Sequence, residues 1–179
     1  MRRSVVICLL AVVALAGCRR RNANEAAATA GNQVATRAAR LYFESAAMLL
    51  SAEPRNVQLS NNTAAAIPVV VGELLKGPSN PALLRNLPQD TVLRAAYLLP
   101  DGTALVDLGG VTLSRGWSAG SHEELMAAYS IVQTVAANFA EVKRVRILIN
   151  GVSAETLAGH VAIDRSLHPD PTLVDARSQ

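Results

Sequence analysis

Apolar and polar positions along the chain follow two different periods, and each change of period marks an element. Ala39 to Glu44 (ARLYFE) carries β-type residues and stops before a run of small ones, which predicts a strand. Ala47 to Leu50 and Val57 to Leu59 are two more short apolar stretches. Glu53-Pro54-Arg55-Asn56 separates them, and together they predict a hairpin or meander. Asn61-Asn62-Thr63 supplies N-cap residues. From Ile67 to Lys76 the apolar positions are Ile67, Val70, Val71, Leu74 and Leu75, the spacing of a helix. Pro68 fits its first turn and Gly77-Pro78 closes it. Ser79 to Asp90 is rich in Pro and Asn and reads as a loop. Thr91 to Leu99 and Thr103 to Leu108 predict two strands around a Pro100-Asp101-Gly102 turn. Asp107 then falls on the face opposite to Val106 and Leu108.

The clearest element opens at Ser121. Ser121 and Glu124 have the spacing of a capping box. Leu125, Ala128, Tyr129, Val132, Val135, Ala136 and Phe139 repeat at helical spacing as far as Ala140. Val142 to Ile149 predicts a strand with Lys143, Arg144 and Arg146 on a mixed face, and Asn150-Gly151 is a strong hairpin signal. A last short strand is expected at His160 to Ile163. From Asp164 the chain is rich in Pro and Asp and reads as a loose tail. The order β-β-β-α-β-β-α-β-β predicts an α+β domain, a mixed sheet with two amphipathic helices packed on it.

Charge and composition change the picture at one end. Five of the 17 Lys/Arg residues (Arg2, Arg3, Arg19, Arg20 and Arg21) lie in the first 21 positions. Beyond them, 12 Lys/Arg face 14 Asp/Glu, so the net charge of +3 does not belong to the domain. A nucleic-acid binder carries its positive charge on the folded domain, and no nucleic-acid partner is expected here. With 50% hydrophobic residues the bulk of the chain is not disordered, and with 3% aromatics its core must be aliphatic.

Arg2 and Arg3 precede an apolar run, Val5 to Ala16. The run is too short to span a hydrocarbon layer of about 30 Å, and it fits the h-region of a secretory signal. It ends in Leu15-Ala16-Gly17-Cys18, which resembles the lipobox of bacterial lipoproteins at every position. The expected organisation is a signal peptide over 1–17, an acylated Cys18 (diacylglycerol and palmitate) with a flexible tether over 18–33, a domain over 34–163 and a tail over 164–179. Cys8 leaves with the signal, so the mature chain has no disulfide. No Cys/His cluster has zinc spacing, and neither metal nor cofactor is expected. Arg19 to Arg21 would lie at the lipid headgroups. Arg19, not Asp, follows Cys18, which favours the outer membrane where a cell has two. The protein is expected on the extracytoplasmic side of a membrane.

Ser, His and Asp all occur, but no G-x-S-x-G elbow surrounds Ser121, which reads as a helix cap. His122 reads as a solvated first-turn residue, and His168 lies in the tail. His160 reads as a hydrogen-bonded structural residue and Asp107 as one half of a pair or a cap. Gly109-Gly110 lacks the spacing of a phosphate loop. Lys143, Arg144 and Arg146 form a candidate surface for anionic lipid or glycan, or the wet side of a strand. Trp117, in the loop Ser114 to Gly120, is a candidate contact residue or a buried loop anchor.

Leu41-Tyr42-Phe43, Glu53-Pro54-Arg55-Asn56-Val57, Leu74-Leu75-Lys76-Gly77-Pro78 and Asp101 to Leu108 follow one another in a recognisable order. Gly120-Ser121 with Glu124, Ile131 to Val135, Val145 to Gly151 and Gly159-His160 continue it. Over roughly Val34 to Ile163 the chain resembles the GerMN domain, a module of spore-germination proteins. Gly109 stands where that pattern has a serine, and there is one copy of the domain. The resemblance implies a small α+β fold similar to ring-building modules of secretion systems. It also implies a surface lipoprotein contributing to cell-envelope assemblies of the sporulation and germination kind, with no catalytic residues. The expectation is therefore a non-enzymatic interaction module. Its partners would be the membrane through Cys18 and envelope proteins, with self-association through a sheet edge as a further option. The alternatives are a module binding cell-wall glycan or peptide and, behind it, an extracytoplasmic hydrolase.

Overall fold

The computed structural model describes residues 33–178. The expected signal peptide, Cys18 and the tether up to residue 32 lie outside the described residues. β1 (Val34–Ser45) and β2 (Leu50–Ser60) form one long antiparallel hairpin, paired from Val34 with Ser60 to Glu44 with Leu50. The break expected at Glu53-Pro54-Arg55-Asn56 does not exist. Those residues continue β2, with Pro54 opposite Arg40. The chain turns instead at Ala46 to Leu49, where Met48 takes a φ of 58° and Ser45 N–H reaches Leu49 O at 2.9 Å.

α1 (Thr63–Leu75) is capped by Asn62, whose Oδ1 accepts from Ala65 N–H. Because the helix starts at Thr63, Pro68 lies beyond its first turn, not in it. Gly77 ends it as expected, with φ +87° and its N–H on Leu74 O at 2.9 Å. β3 (Leu83–Leu84) lies inside the expected loop and pairs with Glu44 and Ser45. β4 (Val92–Leu98), β5 (Thr103–Gly109), β6 (Arg144–Ile149) and β7 (Val152–Ser153) form a second sheet in that order. β5 and β6 are parallel, which demands a crossover. The one-turn helix α2 (Val111–Arg115) and the long α3 (Ser121–Asn138) supply it. Asn150 (φ 54°) and Gly151 (φ 81°) make the tight turn between β6 and β7. His160 to Ile163 is a loop, not the expected strand. The α+β class holds, with the strands divided between two sheets.

The main core is aliphatic: Leu41, Ile67, Val70, Val106, Ile131 and Ile147 are among its fully buried members. α3 is buried on a second side too, where Met126 meets Tyr42, Leu50 and Val174. Ala128, Val132, Val135 and Phe139 of the expected stripe are buried, Met126, Ala127 and Ile131 join them, and Leu125, Tyr129 and Ala136 are only half-buried. This second cluster explains why the tail is not loose. Val174 covers Met126, Asp175 N–H reaches Leu50 O at 2.9 Å, and Leu167 exchanges two backbone bonds with Val145 at 2.8 and 2.7 Å.

β3 pairs with β1 only at its end, so among the described residues most of that edge of β1 has no strand beside it. Polar side chains take the strand's place at alternate residues. Asn138 Oδ1 accepts from Arg40 N–H at 3.0 Å and Asn138 Nδ2 donates to Arg40 O at 2.8 Å. Thr134 Oγ1 accepts from Tyr42 N–H at 3.0 Å, and Asn86 Oδ1 from Glu44 N–H at 3.1 Å. Asn138→Ala is expected to cost about 1–2 kcal/mol, because two backbone groups lose their partner while water can partly replace it. A denaturant titration with an unchanged midpoint would contradict this docking.

Candidate functional site

The most constrained polar group is Glu124, on the first turns of α3 and fully buried. It is not a capping residue. The N-cap is Gly120, whose N–H is taken by Glu123 Oε2 at 2.9 Å, and Ser121 is the first helical residue. Glu124 points into the domain and grips the loop after β7. Oε1 accepts from Leu157 N–H at 2.7 Å and Ala158 N–H at 2.8 Å. Oε2 accepts from His160 N–H at 2.7 Å and meets His160 Nδ1 at 3.1 Å. Burial raises the carboxyl's proton affinity, but backbone N–H groups of Ala158, His160, Leu157 and Val161 outweigh it and hold the pKa below the ordinary 4.5. Gly159 sits in the middle of this loop with φ +103°, which lets the chain wrap the carboxylate.

Glu53 and Arg55 repeat the device on β2. Glu53 Oε2 accepts from Ser79 N–H and Asn80 N–H, both at 2.8 Å. Arg55 pairs with Glu53 and donates to Glu73 O and Gly77 O, both at 2.9 Å. The guanidinium thus satisfies carbonyls at the C-terminal end of α1 while the carboxylate holds the chain that leaves it. Burial raises the Glu53 pKa, and the Asn80 N–H, the Arg55 side chain and the Ser79 N–H bring it below its ordinary value.

Asp107 lies on the outer face of β5, opposite the core face of Val106 and Leu108. Its Oδ1 accepts from Gly151 N–H at 2.7 Å and its Oδ2 from Arg94 Nε at 3.3 Å. Arg94 sits at an irregularity in the β4–β5 pairing. Its side chain fills the space in front of Gly109, where an added Cβ would lie 3.0 Å from Arg94 Cδ. The serine of the family pattern has no room there unless Arg94 moves.

The basic residues on β6 separate. Arg144 donates to Asp101 Oδ2 at 2.5 Å and to Thr103 Oγ1 at 2.8 Å, so it secures the β4–β5 turn. Arg146 donates to Ser153 Oγ at 3.0 Å. Lys143 is exposed beside a hollow of about 430 Å³ lined by Leu98, Leu99, Pro100, Gly102 and Glu141. Trp117 is half-buried and packs against the main core, as a loop anchor does. His122 Nε2 meets Glu44 Oε1 at 2.8 Å. Among the described residues no hydrogen bond joins any two of Ser121, His122, Asp107 and His160. His160 belongs to Glu124, and Asp107 to Arg94 and Gly151. Cys18 lies outside the described residues.

Sequence reasoning gave Glu124 the wrong task and no task to Glu53. Both left a signal. Glu124 falls on the stripe of Ala128, Ile131 and Val135, an acid on an apolar helix face. Glu53 and Arg55 are opposite charges two residues apart, hence on one face of a strand.

A family model described as Germane, sporulation and spore germination, matches residues 40–155. Comparison with curated proteins finds no match. Solved structures share the fold. The first GerMN domain of the sporulation protein GerM from Bacillus subtilis has a TM-score of 0.57 at 19% identity, covering 73% of this chain and 98% of that one. The tandem GerMN domains of the same protein have a TM-score of 0.56 at 21% identity, covering 78% of this chain and 47% of that one. A candidate lipoprotein from Clostridium perfringens has a TM-score of 0.54 at 16% identity, covering 79% and 93%. At such identities the likeness is one of fold.

Proposed function

Because the chain belongs to the Germane family of sporulation and spore germination, we propose that it is an exported, lipid-anchored GerMN-domain protein acting as a non-catalytic interaction module of a cell-envelope assembly. One observation carries the non-catalytic part. Four buried or half-buried charged residues of the shared pattern, Glu53, Arg55, Asp107 and Glu124, are all bonded to groups of their own domain. A hydrolase needs titratable groups converging on a cleft, whereas these converge on backbone and fix loops. The pattern therefore builds a scaffold, and its surface is left for partners.

The anchor rests on Leu15-Ala16-Gly17-Cys18. The Clostridium perfringens protein of like fold, a candidate lipoprotein, is consistent with it. The acyl chains hold the protein on the extracytoplasmic side of a membrane, and the tether lets the domain reach envelope proteins around it. Cys18→Ala is expected to move the protein from the membrane to the soluble fraction and to abolish labelling by radioactive palmitate. Unchanged fractionation would remove the anchor from this reading. Crosslinking in native membranes is expected to recover envelope proteins.

A further inference from the structure

We infer that the domain docks on an anionic bilayer surface through the end where the tether enters it, with the Leu99-Pro100 turn, Lys143 and Arg37 against the lipid. This inference rests on the lipid-anchored reading above and gives the anchored domain an orientation.

The entry point fixes which end is close to the membrane. Gln33 O accepts from Asn61 N–H at 2.9 Å, beside the start of α1. Thr63 Oγ1, at that start, donates to Glu141 Oε1 at 3.0 Å. Lys143 N–H reaches Gly102 O at 2.9 Å, which brings the β4–β5 turn to the same end. Gln33 is the first described residue, so the segment that carries Cys18 joins the domain at this end. The hairpin tip at Met48 lies at the far end of β1, about 35–40 Å away at 3.3 Å per residue.

The chemistry of this end suits a bilayer interface. Leu99 is 38% exposed and Val34 61%, and Pro100 stands free at the turn. Asp101 is neutralised by Arg144, while Glu141 has only the Thr63 hydroxyl and keeps its charge, so Lys143 and Arg37 outnumber the uncompensated carboxylate two to one. The cations are available. Among the described residues no carboxylate pairs with Lys143 or Arg37, and Arg37 bonds only to the carbonyls of Ser60 and Leu59. Apolar side chains ringed by unpaired cations match the boundary between headgroups and acyl chains.

The test uses the acylated full chain in vesicles of phosphatidylcholine and phosphatidylglycerol, with a fluorophore on Pro100→Cys or, separately, on Met48→Cys. Lipids carrying a nitroxide on the headgroup are expected to quench the label at 100 strongly and the label at 48 weakly. Each basic residue near an anionic surface contributes roughly a fivefold gain in partition, so Arg37→Gln with Lys143→Gln should reduce the docked population about 25-fold and abolish the difference. Pure phosphatidylcholine vesicles should abolish it without any substitution. Equal quenching at both labels in vesicle-bound protein overturns the docking and leaves the anchor standing. A chain that carries no acyl group and is not retained by the vesicles overturns both.

Discussion

Glu124→Ala is expected to lower the stability of the protein by about 3–4 kcal/mol, which is roughly 10 °C in melting temperature for a domain of this size. The carboxylate is fully buried and takes the N–H groups of Leu157, Ala158 and His160 at 2.7–2.8 Å. Alanine leaves three inward-facing donors without an acceptor and a void where the carboxylate stood. An unpaired buried donor costs about 1–3 kcal/mol, and the upper end of the sum is relieved because the loop can open to water. Amide exchange at these three positions should therefore accelerate far more than in the main core. His160→Ala should cost less than about 1 kcal/mol, because the imidazole is 45% exposed and contributes one contact among four. If the two variants melt together, Glu124 does not hold the loop in the way its geometry implies.

The same carboxylate makes stability depend on acid. Burial alone would raise its pKa, but the backbone donors bring it below 4.5, and Glu53 is displaced in the same direction. A carboxyl with a lowered folded pKa binds protons more readily unfolded than folded. Its contribution is complete above the ordinary value and drains away as pH falls through the folded one. Urea midpoints measured from about pH 6 down to about pH 3 should fall steeply for the native chain and less steeply for Glu124→Gln.

Local rules made much of the fold legible, and non-local ones hid the rest. The Asn62 cap, the Gly77 stop, the Asn150-Gly151 turn and the placement of Asp107 away from the core are decided within a few residues, and all are found. The continuity of β2 is decided by β1 across the hairpin and by α1, whose C-terminal carbonyls take Arg55. Polar residues in mid-strand looked like a break because their partners lie some 20 residues away in sequence. The tail looked loose because its composition is that of a loop, yet Leu167 and Val174 are buried against β6 and α3. Glu124 was legible as part of a shared pattern but not as a clamp. Spacing to Ser121 suggested a cap, while the burial that decides its role comes from a loop 33 residues further on.

Arg55→Ala is expected to cost about 3–5 kcal/mol, comparable to the loss of Glu124. Three consequences coincide in one substitution. Glu53 stays buried without its cation, and the charge it keeps is the expensive form. The carbonyls of Glu73 and Gly77 lose donors at 2.9 Å, which uncaps the end of α1. The contact with Ser79 Oγ at 3.1 Å also disappears, so the chain from Gly77 to Asn80 is left held by the Glu53 carboxylate alone. Arg55→Lys should recover little, because an ammonium is a single point and cannot reach carboxylate, two carbonyls and hydroxyl at once as the planar fork does. Glu53→Ala should cost less than Arg55→Ala, since a guanidinium without Glu53 still has four oxygen partners, the Glu73 carboxylate among them. The double variant should fall well short of the sum, because removing Glu53 also removes the stranded charge. Additive losses in a double-mutant cycle would show that the two residues act separately. A shortfall of about 1–3 kcal/mol is expected for residues sharing one buried network, and it would locate the stability of the α1 terminus in that pair.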